Sequence, residues 1–523
     1  MNLSRRAFVA GSAAAFAAEL FAADKDSNKP NPQLEKLADN ALREAKRLKA
    51  SYCDIRIIRY RDQNVGVRLS PERGTGKTLE VPSVNDVESF GFGVRVIVDG
   101  AWGFAASPVV TAEEIRRITG EAVTVAKASA SIKLKPVVLA PVKAYRDRWT
   151  SPFEKNPFDV AVAEKLELLL DSGRQIKKNT QVFGSGGSLS SRSEDKYFAS
   201  SEGSSIQQLI FQTFGQLQAN AVDLASRKSK TRNYDPAPVS AGYEAVQKMN
   251  LGENALRIRD EVVEHLKAPP VKPGKYDLIL MPSHLGLTIH ESIGHSTELD
   301  RALGYEANYA GTSFLNTDKL GKFRVGSDLM NVYGDRTTPQ GLSTVAYDDD
   351  GVKTGKFDII KKGIFVGYQT IRDQAHLIGD KESRGCCYAD SWASVPFQRM
   401  PNVSLAPGGN DDTLEGLISG VDNGILIEGR GSYSIDQQRY NFQFGGDAFY
   451  EIKGGKRRGM IAQVAYQSRT PDFWQTCDGI AGPSYWQLYG LFRDGKGEPG
   501  QVNAISHGCS PTRFRQINVI TTD

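Results

Sequence analysis

Two histidines and a glutamate within six residues, His290-Glu291-Ser292-Ile293-Gly294-His295, are the strongest chemical signal in this chain. Neutral imidazole nitrogens at about 2 Å suit a zinc ion, provided a rigid element holds them. A glutamate beside the first of them can take a proton from a metal-bound water whose acidity the ion has raised. The spacing departs from the common zinc helix, in which the histidines are four apart. Five positions on an ideal α-helix correspond to roughly 500°, which leaves the two rings about 140° apart. A wide turn of π type brings residues i and i+5 to one side, and Gly294 eases that distortion. The chain has six histidines in 523 residues, so the pattern rarely arises by chance. Two helical histidines satisfied by hydrogen bonds, with Glu291 exposed, would nevertheless look the same.

The elements around the motif must hold it still. Tyr276-Asp-Leu-Ile-Leu-Met281 reads as a short apolar strand, and Pro282-Ser283 as a turn that opens the helix bearing His290. Downstream the chain is mostly strands. Thr344–Tyr347, the turn Asp348-Asp349-Asp350-Gly351, Lys356–Lys361 and Ile364–Thr370 form one expected meander. Gly424–Glu428, Asn441–Ile452 and Gly459–Gln467 form another, which predicts a large antiparallel sheet that curls like a barrel. Upstream, Asn31 and Pro32 open a helix with an apolar stripe from Leu34 to Leu48. Strands follow at Cys53–Arg59, Val65–Leu69 and Gly91–Gly100, then a helix capped by Thr111 and Glu114. A leucine-rich helix and polar strands occupy residues 140 to 235, and a helix from Gly252 to Leu266 precedes Pro269-Pro270 and Pro273-Gly274. The expected class is α+β. A mixed region spans 24–235, a helical and proline-containing connection 236–275, and a strand-rich domain carrying the motif 276–523.

At this length the chain should form two or more units, each with its own core. It is 40% hydrophobic and 24% charged, with 51 glycines and a net charge of +4. No dense basic run appears, which argues against a nucleic-acid partner. The five cysteines match no zinc knuckle or redox motif and are expected as buried thiols, with one or two bridges open to an exported protein. Ser4-Arg5-Arg6-Ala7-Phe8, an alanine-rich apolar run and the small residues near Ala22 lay out an export signal over residues 1–23. Its paired arginines resemble a twin-arginine signal, which points to the periplasm. No later segment approaches a membrane-spanning length, so no stable membrane insertion is expected.

Longer stretches carry a family resemblance. Pro273-Gly-Lys-Tyr-Asp-Leu-Ile-Leu-Met-Pro-Ser283, the motif continued to His295-Ser-Thr-Glu298-Leu-Asp300, Val325-Gly-Ser-Asp328 and Ser506-His507-Gly508 resemble the TldD/PmbA metallopeptidases. So do Phe92-Gly-Val-Arg95-Val and Asp99-Gly-Ala-Trp-Gly-Phe104, and Asp494-Gly-Lys-Gly-Glu-Pro-Gly-Gln501. The chain looks like the histidine-bearing TldD-type subunit; its PmbA-type counterpart lacks the motif. The resemblance implies a zinc peptidase that acts on flexible or unfolded peptides, held extended in a cleft within a homodimer or a heterodimer with a PmbA-type subunit. It implies His290 and His295 as metal ligands and Glu291 as base. The family's third ligand is a cysteine at the position where this chain has Asp494. Two histidines and a carboxylate still make a competent zinc set, with harder metals favoured once the thiolate is gone. Cys509 is the alternative third ligand. Asp494 could equally cap a turn, and Cys509 fill a core. Glu298 and Asp300 either orient the imidazoles or lie exposed beyond the helix. His507 could stabilise an oxyanion, although a surface hydrogen-bonded histidine fits better. Because the third ligand has changed, a catalytically impaired subunit kept for peptide binding or assembly is the alternative function. A modulator of a topoisomerase fits poorly with an exported chain of balanced charge.

Overall fold

The computed structural model describes residues 20–21, 28–72 and 74–522. Of the expected export signal only Leu20 and Phe21 fall within that range, and both are buried against the first core, Phe21 edge-on to Phe90. The rest of that expectation, including the arginine pair, lies outside the described residues.

The N-terminal half is a sheet of β1 (Tyr52–Pro71), β2 (Thr78–Val98), β3 (Ala101–Ser107), β4 (Arg146–Thr150), β5 (Val182–Ser200), β6 (Ser205–Asp223) and β7 (Lys228–Tyr234). Its order is β3-β2-β1-β5-β6-β4 with β7 also on β6, and every pairing but β4 with β6 is antiparallel. Where two strands are expected at Cys53–Arg59 and Val65–Leu69, the structure has one of 20 residues. No glycine or proline stands between Arg59 and Val65, and Asp62 and Asn64 are taken up in the ladder, so β1 runs on unbroken, paired with β2 along its full length.

One face of β1 is covered by helices. Ile55 and Ile57 pack with α1 (Pro32–Arg47) and α2 (Ala112–Ala130). Val65, Val67 and Leu69 pack with α3 (Val162–Lys177) and α4 (Leu251–Lys267). These are separate cores on one sheet, which is how a long sheet keeps its apolar side dry. Thr111 caps α2 by accepting from the Glu114 amide at 3.3 Å, while the Glu114 carboxylate turns instead to Ser107 and Arg117. The expected reciprocal cap is therefore half made.

The other face of β1 meets the C-terminal half through buried charge. Arg95 bridges Asp54 at 2.7 Å and Asp350 at 2.8 Å, and Lys196 reaches Asp349 at 2.8 Å. The Asp348-Asp349-Asp350-Gly351 segment does turn, with Gly351 at φ +76. It also supplies the carboxylates that join the two halves, a use its composition alone does not show.

The C-terminal half is built on a nine-stranded mixed sheet. Its strands are β8 (Gly274–Leu280), β9 (Asn423–Glu428), β10 (Tyr433–Ile435), β11 (Asn441–Gly445), β12 (Ala448–Lys453), β13 (Lys456–Ile461), β14 (Val464–Arg469), Cys477–Ile480 and, nearest the C-terminus, Thr512–Thr521. The order β10-β11-β14-(Thr512–Thr521)-β8-β9-β12-β13 leaves two free edges, so the sheet is open, not closed into a barrel. Strands β8 and β9 run parallel; the other pairings are antiparallel. Four expected strands differ. Asn441–Ile452 splits at Gly446, where a Cβ would stand 2.4 Å from Ile427 and only a bare backbone passes. Gly459–Gln467 splits at Gln463, whose φ of +59 ends the extended run. In the first meander Lys356–Lys361 forms, Ile364–Thr370 shrinks to Ile364–Phe365, and Thr344–Tyr347 makes only an isolated bridge from Tyr347 to Lys353. All five cysteines are buried free thiols. Among the described residues no helix is long and apolar enough to cross a membrane.

Candidate metal centre

Strand β8 feeds directly into α5 (Pro282–Ile289), with Pro282 in its first turn. This helix passes without interruption into a π turn over His290–Gly294 and then a 3₁₀ turn over His295–Thr297. The His295 amide donates to the His290 carbonyl, the i to i+5 bond that defines the wide turn. Its consequence is the one the spacing requires: the two imidazole centroids stand 4.5 Å apart. Gly294 contributes through space, not conformation. Its φ of −53 is ordinary helix, but a Cβ there would lie 2.6 Å from the Met400 sulfur. Gln369 donates from Nε2 to the Gly294 carbonyl at 2.6 Å and to Thr297 Oγ1 at 2.9 Å, supplying a partner where the turn widens.

The third side chain arrives on a hairpin of Gln487–Lys496 and Gln501–Cys509, here β15 and β16. A register shift between Leu491 and Asp494 interrupts the regular pairing of β15 and re-aims the residues that follow. Asp494 Oδ1 then lies 3.3 Å from His290 Nε2 and 3.8 Å from His295 Nε2. Among the described residues, His290, His295 and Asp494 form the cluster whose ligand atoms all fall within 4.8 Å of one another, and all three are buried. Donors around a four-coordinate zinc ion with bonds of about 2.0 Å stand roughly 3.3 Å apart, so this set fits a small divalent cation. Cys509 belongs to the same hairpin but not to the cluster. Its thiol points at the Pro282 carbonyl, 3.9 Å away, in a fully buried place that pushes its ionisation far up.

Each of the three side chains is held from behind. Arg399 donates to Asp494 Oδ2 at 3.0 Å and to its carbonyl at 2.7 Å, which leaves Oδ1 to face the imidazoles. Glu298 Oε2 accepts from His295 Nδ1 at 2.8 Å, and Lys496 Nζ bonds both Glu298 and Asp300 at 2.9 Å. Of the two acids past the helix, Glu298 touches an imidazole, whereas Asp300 accepts from the lysine and from the Arg301 amide at 2.7 Å. Burial alone would raise the Glu298 carboxyl, but Lys496, His295 and Arg301 outweigh it and hold it well below the usual range. His290 Nδ1 lies 3.0 Å from His507 Nε2, whose Nδ1 is 2.8 Å from the Val403 carbonyl. His507 is 1% exposed, so it is not a surface histidine, and its partner is an imidazole. Burial pushes both His295 and His507 down to about 3, which keeps these imidazoles neutral.

Glu291 lies in the π turn beside His290 and is 4% exposed. Its carboxylate pairs with the Arg439 guanidinium, which reaches in from the hairpin between β10 and β11. Burial lowers the Arg439 ionisation against the Glu291 charge. Tyr433 on β10 stands close enough that the Glu291 charge is the main reason its phenol is raised. Sequence reasoning did not find Arg399, Arg439 or Lys496. Arg399 and Arg439 stand in no motif, Lys496 lies in the Asp494–Gln501 segment without any local sign of its role, and only the fold shows that each has a buried acid as partner.

Two family models match this chain. Residues 273–520 match the PmbA/TldA metallopeptidase C-terminal domain, and residues 79–126 match PmbA/TldA metallopeptidase domain 1. The metalloprotease MJ0996 of Methanocaldococcus jannaschii is 29% identical over 432 residues, covering 82% of this chain and 89% of that protein. A zinc metalloprotease TldD homolog of Saccharolobus solfataricus is 24% identical over 487 residues, covering 91% and 98%. In fold, the crystal structure of TldE from Thermococcus kodakarensis superposes with a TM-score of 0.70 at 18% identity, covering 93% of this chain and 99% of that one. The TM0727 structure from Thermotoga maritima gives 0.72 at 15% identity, covering 93% and 100%. The matches span both halves of the fold and the whole of the histidine–aspartate cluster, and the chain belongs to the TldD/PmbA metallopeptidase family.

Proposed function

We propose that this chain is a zinc-dependent peptidase that hydrolyses flexible or unfolded peptides, with His290, His295 and Asp494 holding the ion and Glu291 acting as base. The observation that carries the reading is the convergence of three ligand-type atoms beside a buried glutamate on one π turn. A bound zinc ion would acidify a water molecule and polarise the scissile carbonyl. The chain's own residues do the rest. Glu291 accepts the proton lost as the water attacks and returns it to the departing amine nitrogen. Arg439 pairs with that carboxylate and holds it in place until it is used. Glu298, His507 and Arg399 hold the ligand side chains, so little reorganisation is left for the moment of reaction. The names of the relatives, which include metalloproteases and a zinc metalloprotease, support the class of reaction.

The peptide class follows from the family reading, as does assembly into a homodimer or a heterodimer with a PmbA-type subunit. Export through the twin-arginine route rests on the Ser4-Arg5-Arg6-Ala7-Phe8 opening. One observation favours the alternative of an impaired subunit. Glu291 already holds a guanidinium, and a base occupied in this way must be released before it can work.

Metal analysis of purified protein with peptidase assays separates the two. One equivalent of zinc, retained in Glu291→Gln while hydrolysis of casein-like peptides is lost, supports the enzyme. Metal-loaded wild-type protein that cuts no peptide, alone or with its partner subunit, supports the impaired form.

A further inference from the structure

We infer that His507 is a positioning residue that fixes the tautomer of His290, so that the Nε2 lone pair of His290 faces Asp494. The inference rests on the proposed metal centre and deepens it. Val403 offers a carbonyl oxygen 2.8 Å from His507 Nδ1. A carbonyl can only accept, so Nδ1 carries the proton. The ring nitrogens of His507 meet the Val403 carbonyl and the His290 ring, and among the described residues no carboxylate bonds them; a second proton in a place 1% exposed would be a buried charge without a counter-charge, so Nε2 is bare. That bare nitrogen lies 3.0 Å from His290 Nδ1, and two bare nitrogens do not bond, so His290 Nδ1 carries the proton and donates it. The remaining nitrogen of His290 is Nε2, 3.3 Å from Asp494 Oδ1. Two electron-rich atoms at that separation call for a cation between them.

The chain of command therefore runs from a backbone carbonyl through one imidazole to another. His295 reaches the same state by a different route, through the Glu298 carboxylate at 2.8 Å. A carboxylate behind both histidines would add a second negative charge near the centre; a neutral imidazole behind His290 orients the ring without one. The hairpin that carries His507 also carries Asp494, so one element delivers a ligand and sets the tautomer of another. The same bonds limit what else His507 can do. Both of its nitrogens are engaged, and it has no proton left to offer a developing oxyanion.

The full-length protein is tested with cobalt(II) and zinc as probes. His507→Phe removes the acceptor and retains most of the ring volume, while His507→Gln keeps an amide oxygen that can accept from His290. We expect His507→Phe to weaken zinc binding, measured by chelator competition, by about 10- to 100-fold. Its cobalt(II) d–d spectrum should change, and His507→Gln should lie close to wild type in both. His507→Phe that binds zinc as tightly as wild type with an unaltered spectrum overturns the inference, as does His507→Gln behaving like His507→Phe. Should His507→Phe fail to fold, nitrogen-15 spectra of histidine-labelled, zinc-loaded wild type decide the matter, since there are only six histidines to assign. Protonated Nδ1 on both His507 and His290 is expected; His290 metallated through Nδ1 refutes the relay. Wild-type protein that takes up neither ion would instead sink the metal reading beneath it.

Discussion

Arg439 donates to Glu291 across the mouth of the π turn, with both side chains largely shielded from solvent at 13% and 6% exposure. The arginine does not get there by chance of rotamer. Its backbone sits at φ +64, Asp436 accepts from the Tyr440 and Asn441 amides at 2.8 and 2.9 Å, and Thr470 donates to the Arg439 carbonyl at 2.7 Å. The hairpin is thus pinned on both sides of the guanidinium. In Arg439→Gln the buried carboxylate loses the cation that orients it. We expect kcat/KM to fall about tenfold. Glu291→Gln should fall by about 10²–10⁴-fold at every pH. Arg439→Gln with the kcat/KM of wild type would remove the arginine from the mechanism.

Asp494 is the point at which this chain departs from a thiolate ligand, and Arg399 shows how the departure is accommodated. The guanidinium takes one carboxylate oxygen and the backbone carbonyl, leaving one oxygen for the cation. Asp494→Asn keeps the shape but not the charge, and we expect zinc affinity to fall by about a hundredfold or more. Asp494→Cys restores a soft donor and should tilt preference from harder to softer ions. In the cobalt(II) protein it should add a sulfur-to-metal charge-transfer band in the near ultraviolet. Asp494→Asn with undiminished zinc affinity would mean that the carboxylate is not a ligand.

The sequence makes some of this centre legible and hides the rest for physical reasons. The five-residue spacing of His290 and His295 requires an i to i+5 turn if the two rings are to share an ion, because imidazoles so spaced on a regular helix would diverge. Glu291 follows from the same six residues. Asp494 is legible only through the family resemblance, since nothing within β15 distinguishes a ligand from a turn carboxylate. Arg399, Arg439 and Lys496 are silent, because a basic residue that ends beside a buried acid has the same local sequence as one in water. The long strands of the N-terminal sheet are legible as alternation but not in extent, as β1 shows. Lost strands such as Thr344–Tyr347 lie where side-chain hydrogen bonds, those of Gln208 to Ala346 and Tyr347 above all, hold the backbone in place of a ladder.

Lys496 neutralises two buried acids at once, so its removal should be felt in stability before activity. All three side chains are almost fully buried, with Lys496 Nζ 2.9 Å from both Glu298 and Asp300. Lys496→Met leaves Glu298 and Asp300 with only the more distant Arg301 guanidinium, 3.8 Å from Glu298, and we expect a loss of about 3–5 kcal/mol in urea unfolding. Adding Glu298→Gln removes one of those charges and should recover part of the loss, a positive coupling in a double-mutant cycle. The pair should also loosen His295, which has Glu298 as its Nδ1 acceptor. Additive effects of the two substitutions would show that the contact carries no energy.

His265 gives the fold an acid-sensitive element well away from the metal. It is 4% exposed on α4, edge-on to Phe449, and neither ring nitrogen has a hydrogen-bond partner. Burial, aided by Lys230 and Arg232, lowers its ionisation from 6.5 to about 4. The unfolded chain therefore takes up a proton near pH 6.5 that the folded protein refuses until about pH 4. The stability tied to this histidine is complete above pH 6.5 and drains away as the pH falls through that window. It amounts to about 3 kcal/mol from the shift. His265→Phe fills the same space, has no proton to bind, and leaves no unpaired nitrogen. We expect its urea midpoint to exceed that of wild type at neutral pH and the gap to widen steadily between pH 6.5 and 4. Midpoints that decline in parallel for the two proteins across that range would show that the acid sensitivity arises elsewhere.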